Sequence, residues 1–148
     1  FVEKLTVGKQ VQVAQWSPDG NTVDYFEALA NGKGIFHVVN AATGTDTVVA
    51  TSATATPLPA WSADSKLLAY STGTHTFIVN LQTPGVSQPL KPQSKVTAFN
   101  WSATSPSQLV LALGDGQQGL YLVDTQRGTM LQLDKETIQG PILWTQIP

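Results

Sequence analysis

His37 and His75 are the only histidines in the chain, and cysteine is absent. An imidazole acts as general base or metal ligand only where partners converge on it. His37 alternates with apolar residues in the run Ile35-Phe36-His37-Val38-Val39, and His75 sits in the turn-like stretch Gly73-Thr74-His75-Thr76. No third partner stands at ligand spacing beside either one. The spacing therefore supports neither a zinc site nor a Ser-His-Asp triad, and the Gly-x-Ser-x-Gly nucleophile elbow is missing. Without cysteine there is no thiolate nucleophile, thiolate metal site or disulfide. The expectation is a chain with no catalytic constellation, no metal site and no cofactor.

One motif invites a different reading. Gly114-Asp115-Gly116-Gln117-Gln118-Gly119 matches the dinucleotide fingerprint, follows an apolar run, and has Asp134 twenty residues beyond its first glycine. That chemistry needs a helix to open after the glycines, so that its amide N–H groups meet the pyrophosphate. Here the next residues, Leu120-Tyr121-Leu122-Val123, form a strand pattern, so the glycines read as a wide hairpin. Asp19, Asp64, Asp115, Asp124 and Asp134 fall in or beside turns, where Asp bonds local backbone amides, and they lack the dense spacing of a calcium loop. Asn100-Trp101-Ser102 is a formal glycosylation sequon overlapping a tryptophan expected in the core.

Composition narrows the class. The 148 residues are 41% hydrophobic and 12% charged with a formal charge of −2. That is too apolar for disorder and too neutral for a nucleic-acid footprint. No run of about 18 apolar residues is present to span a membrane. The usual charged share is about 25%; here Thr, Gln and Ser, numbering 18, 13 and 10, take surface places. A surface of this kind suits an exported, extracytoplasmic protein. The chain begins at Phe1 without a signal-peptide apolar region in its first residues, which reads as a processed or excised segment of a longer polypeptide.

What must position any site is a repeat. Trp16, Trp61, Trp101 and Trp144 are spaced by 45, 40 and 43 residues. Three of them open similar pentads: Trp16-Ser17-Pro18-Asp19-Gly20, Trp61-Ser62-Ala63-Asp64-Ser65 and Trp101-Ser102-Ala103-Thr104-Ser105. An aliphatic residue (Leu5, Val49, Leu90, Leu133) precedes each Trp by 11 or 12 positions, and Gly44, Gly85 and Gly128 precede three of these by 5. Phe36, Phe77 and Tyr121 stand 7 or 8 residues before those glycines.

Each period divides into four short β-branched and aromatic runs between Gly, Pro, Asn and Asp clusters, and no segment sustains a helical period. Four strands per unit of about 40–45 residues is the arithmetic of a β-propeller blade. The fold class expected is all-β: a propeller segment of three four-stranded antiparallel blades, about 11–50, 57–91 and 95–134. A stray outer strand at 1–7 and a stray inner strand at 141–147 flank them. Large side chains fill the wedge between stacked blades, so all four tryptophans are expected there rather than on a stacking platform for sugar or bases. Ser17-Pro18-Asp19-Gly20 should make a tight hairpin, and the later copies, lacking Pro and Gly, looser ones.

The pentad Trp16-Ser17-Pro18-Asp19-Gly20, with stretches such as Tyr121-Leu122-Val123-Asp124-Thr125-Gln126-Arg127-Gly128, resembles the TolB-type propeller repeat. It is related in architecture to WD repeats but lacks their Gly-His and Trp-Asp signatures. The resemblance covers nearly the whole chain. It implies kinship with periplasmic binding proteins, exported sensor domains and the propeller caps of prolyl-oligopeptidase-like enzymes.

Three blades cannot close a ring, since propellers typically need about four to eight. A protein partner, or the rest of the propeller from missing blades or another chain, is therefore expected. Binding is expected on end loops held by rigid strands, with Asn31, Lys33, His75, Asp115 and Gln117 as candidate contacts. The function expected is non-catalytic protein or ligand binding or sensing within a larger exported protein. The alternative is the propeller cap of a serine hydrolase whose catalytic domain lies outside this chain.

Overall fold

The computed structural model describes residues 10–53, 59–83, 87–90, 94–116, 118–136 and 142. The expected strands at 1–7 and 141–147, together with Trp144 and Gln117, lie outside the described residues, Ile142 excepted.

Each repeat folds into one sheet. The first holds β1 (Val11–Trp16), β2 (Thr22–Ala28), β3 (Gly34–Asn40) and β4 (Asp46–Ala53). The second holds β5 (Ala60–Trp61), β6 (Leu67–Ser71), β7 (Thr76–Asn80) and β8 (Ser87–Pro89). The third holds β9 (Val96–Trp101), β10 (Gln108–Leu113), β11 (Gly119–Asp124) and β12 (Thr129–Asp134). Spatial order follows chain order in every sheet, and no helix occurs among the described residues. These are three up-and-down blades.

Turn chemistry sets the strand ends. After Trp16, the Ser17 amide donates to the Thr22 carbonyl (2.8 Å), the Ser17 hydroxyl to Asp19 Oδ1 (2.6 Å), and Gly20 takes φ of 72°. The Ser17 hydroxyl and the Asn21 amide groups hold the Asp19 carboxyl below its usual range. The second copy is not looser, contrary to the sequence expectation. The Ser62 amide donates to the Leu67 carbonyl (2.9 Å) and its hydroxyl to Asp64 (2.7 Å), while Ser65 adopts φ of 60° in the place of Gly20. The Ser–Asp pair organises the turn, so a non-glycine residue is carried into the left-handed region. The third copy lacks the Asp, and its Ser102 amide reaches one residue farther along, to the Gln108 carbonyl.

The blades stack through their faces, and alternation along each middle strand sends successive residues to opposite wedges. Phe26, Phe36 and Val38 of blade 1 meet Trp61, Leu68, Tyr70 and Val79 of blade 2. Ala69 and Ile78 of blade 2 meet Phe99, Trp101, Leu109, Leu111 and Val123 of blade 3. Both faces of β6 are thus covered, which is why it reads as a continuous apolar run; β10 buries Leu109, Leu111 and Leu113 in the second wedge, and Val110 and Ala112 on its other face are buried too. Fully burying each such side chain stabilises by about 1.5–3 kcal/mol.

One expectation about the tryptophans fails. Trp61 and Trp101 are 9% and 3% exposed in their wedges, but Trp16 is 59% exposed. The Trp61 and Trp101 indoles each lie against the blade before their own, and among the described residues no blade precedes blade 1.

Gly34, at the start of β3, marks a close approach: a Cβ there would overlap the Phe26 ring and the Glu27 carbonyl. Overpacking of this kind costs about 1–3 kcal/mol. Gly34→Ala is expected to lower the urea midpoint of unfolding by an amount in that range, and a wild-type midpoint would contradict the close packing of β2 on β3.

Candidate functional site

The loops joining second to third strands gather at one end of the blades. Lys33, in the β2–β3 loop, sends its ammonium Nζ to the Thr72 carbonyl of the β6–β7 loop, 3.3 Å away, and so ties blade 1 to blade 2. At blade 3, the Gly114 amide donates to the Lys95 carbonyl (2.8 Å) and the Ser94 hydroxyl donates to the Asp115 carbonyl. The segment entering β9 therefore lies beside the β10–β11 loop. Other expected contacts hold their own loops. Asn31 Oδ1 accepts the Lys33 amide at 3.0 Å. His75 Nδ1 lies 2.7 Å from the Thr74 hydroxyl, with its ring 6.2 Å from that of Phe77. Asn31 and Asp115 thus make loop-forming contacts, and of the expected residues that are described only Lys33 is seen to reach across a blade boundary. The glycine-rich hexapeptide joins β10 to β11, as a hairpin rather than a phosphate cradle.

Between blades 1 and 2 the sequence conceals a buried charge. Asp24, fully buried in β2, accepts the Trp61 indole N–H at 2.7 Å and the Gln15 amide at 3.3 Å. Gln15 Nε2 also donates to the Pro59 carbonyl at 2.6 Å, so a single side chain clasps both blades. Burial pushes the Asp24 carboxyl up to about 6, against the lowering effect of the Trp61 and Gln15 hydrogen bonds. The next wedge is built otherwise: Trp101 donates to the backbone carbonyl of Ala60 at 2.8 Å. Asn100 repeats the forward clasp of Gln15, donating to the Ile142 carbonyl at 2.9 Å.

A second polar cluster lies on the other face of blade 1. His37 is 3% exposed; its Nδ1 lies 2.9 Å from Asp46 Oδ1 and its Nε2 3.0 Å from Glu27 Oε2. Tyr25 stacks on its ring at 4.5 Å and donates its hydroxyl to Asp46 Oδ2 at 2.7 Å. Two carboxylate contacts need two ring N–H groups, or one neutral imidazole and one carboxylic acid. In either state both ring nitrogens of His37 are engaged within the cluster. Sequence reading misses it because Glu27 and Asp46 reach His37 only through sheet register. The signal lies in the repeat: Tyr70 pairs with Phe77 and Leu111 with Tyr121 where Tyr25 pairs with His37. Only blade 1 is polar there.

Between blades 2 and 3 a cavity of about 420 Å³ opens outward, floored by Leu67, Ile78, Leu90, Val123 and Met130.

No family model matches the chain, and no curated protein sequence does. Solved structures match its fold. The β-propeller domain of the trilobed protease from Pyrococcus furiosus superposes with TM-score 0.70 at 15% identity, over 86% of this chain and 43% of its own. TolB from Acinetobacter baumannii gives 0.61 at 15% identity, over 84% of this chain and 32% of its own. Dipeptidyl peptidase 4 from Porphyromonas gingivalis gives 0.68 at 15% identity, over 88% and 26%. The stacked four-stranded sheets thus have the fold of a β-propeller segment, like those of TolB and the trilobed protease. The chain spans less than half the length of each of these proteins.

Proposed function

We propose that this chain is a non-catalytic binding or sensing module, three blades of a propeller within a larger extracytoplasmic protein. The observation that carries the reading is the loop end, where the exposed Lys33 is fixed across two blades to the β6–β7 loop that also holds His75. Rigid strands hold these polar groups in place, and no nucleophile–base pair stands among them. The sparse charge and the Thr, Gln and Ser surface favour export. A second reading, the cap of a serine peptidase, is favoured by the likeness to the propellers of the trilobed protease and dipeptidyl peptidase 4.

Selection of a random heptapeptide library on the immobilised chain tests the binding reading. Enriched peptides are expected to lose tenfold or more in affinity for Lys33→Ala and His75→Ala. Peptides that bind both variants as well as wild type overturn the loop-end assignment. Labelling of the chain by a fluorophosphonate probe overturns the non-catalytic reading. A Gly-x-Ser-x-Gly-bearing α/β domain encoded in the same polypeptide would establish the peptidase cap instead.

A further inference from the structure

Sheet register defines equivalent positions in the three blades. The residue that opens each second strand pairs with the last residue of the third: Thr22 with Asn40, Leu67 with Asn80, Gln108 with Asp124. In the outer strands, Asp46 stands opposite Val39, Ser87 opposite Val79 and Met130 opposite Val123. Leu67 and Met130 are apolar where their equivalents are polar. Both line the cavity between blades 2 and 3, one from each blade. The blades form with polar residues at both positions, so stacking does not require this apolar pair. What the pair does is make the corner of one wedge an apolar hollow.

The hollow lies by the β7–β8 and β11–β12 turns, at the end of the blades away from Lys33 and His75. Its floor reaches into the wedge, where Ile78 and Val123 are buried. Its volume is about 420 Å³. An apolar cavity of about 150 Å³ holds one benzene, so there is room for a body of about two or three rings. Among the described residues that line it there is no Lys, Arg or His. Its one carboxylate, Asp124, accepts the Gln126 and Arg127 amides at 3.0 and 2.9 Å and lies 3.8 Å from the Arg127 Nε. That charge is therefore already met. Asn80 accepts the Gln82 amide at 2.9 Å and the Thr125 hydroxyl donates to the Ser107 carbonyl at 3.0 Å, so both hold their own turns. Gln88 and Thr129, exposed at the rim, supply uncharged donors and acceptors.

We propose that this hollow binds a neutral, largely apolar small molecule of that size, with a hydroxyl or carbonyl group that meets Gln88. Leu67 and Met130 hold its body from opposite blades. A concave apolar floor with a few uncharged polar groups at its rim is the usual build of a small-molecule site. An anion would leave water for a lining that offers it no cation, and that transfer is costly. Charge thus selects against nucleotides, phosphates and acidic peptides. The inference does not rest on the loop-end reading, since the two sites lie at opposite ends of the blades, and each can fail alone.

Met130 is the only methionine in the chain. Labelling with 13C-methyl methionine therefore gives one methyl resonance, and it reports from inside the hollow. Titration with 2-naphthol, uncharged at pH 7, is expected to move that resonance saturably, with one probe bound per chain. 2-Naphthoate, the same ring pair bearing a carboxylate, should bind about tenfold more weakly or worse. Leu67→Thr installs the residue that blade 1 carries in this position and should weaken 2-naphthol about fivefold or more. Gln88→Ala, at an exposed position, should keep the far-UV spectrum and weaken the probe by about threefold. No saturable shift up to the solubility limit of 2-naphthol overturns the proposal. So does equal binding of 2-naphthoate, or wild-type affinity in a folded Leu67→Thr chain. If Leu67→Thr does not fold, Gln88→Ala decides, and wild-type affinity there overturns the proposal.

Discussion

Thermal denaturation of this chain is expected to give a higher midpoint at pH 4.5 than at pH 7.5 where Asp24 governs the difference, and Asp24→Asn to remove that share. The carboxyl titrates near 3.8 when the chain is unfolded and at about 6 in the fold, where burial disfavours its charge. A raised folded value means that the native state binds the proton more tightly. Its contribution is therefore fully present below 3.8 and is lost as the pH rises through about 6. A tenfold change in proton affinity corresponds to about 1.4 kcal/mol, so the charged form costs the fold up to about 3 kcal/mol at neutral pH.

Asparagine keeps an oxygen for the Trp61 indole and removes the charge. Asp24→Asn should therefore stabilise by about 1–2 kcal/mol at pH 7.5, less than the full cost because charge-assisted hydrogen bonds are lost. Asp24→Ala should instead destabilise, because it strands the buried indole N–H. Urea titrations of the three proteins between pH 4 and 8 check this. Parallel pH profiles for wild type and Asp24→Asn would show that Asp24 is not the buried acid described here.

The second large effect separates residues that the sequence treats alike. Trp101→Ala and Trp61→Ala should each lower stability by about 3–5 kcal/mol, since each empties a packed wedge. Trp16→Ala should change the monomer's unfolding free energy by about 0.5 kcal/mol or less, the usual size for an exposed position. Guanidinium unfolding of dilute protein, with the Trp16 variant beside the other two, measures the contrast. Equal losses at all three positions would mean that Trp16 is buried against something the described blades do not include.

The repeat is legible because its signals are local. The Ser17–Asp19 and Ser62–Asp64 turns lie at fixed distances from their tryptophans, and the strand patterns between them follow the observed strands. The second turn is tighter than its sequence suggests for an equally local reason. Pro and Gly are the more conspicuous turn signals, yet with neither of them the Ser62–Asp64 turn holds Ser65 at positive φ, its amide donating to the Ser62 carbonyl and its hydroxyl accepting the Asp19 amide of the preceding turn. The candidate site is far less legible. Asn31 and Asp115 read as binding contacts from their loop positions alone, while what the structure adds is local: Asn31 Oδ1 accepts the Lys33 amide and the Asp115 backbone carbonyl accepts the Ser94 hydroxyl. His37 reads as an isolated strand residue, because its partners Glu27 and Asp46 are brought to it by register and not by spacing.

By itself the sequence determined the kind of unit, four short antiparallel strands per period, because strand and turn preferences are settled within a few neighbouring residues. Only the tertiary structure decided what each equivalent residue meets. Stacking puts Asp24 under the indole of Trp61, gives Trp101 a backbone carbonyl instead, and leaves Trp16 bare. Those differences arise from which blade lies alongside, and contacts between residues some forty positions apart leave no mark in the local pattern of either one.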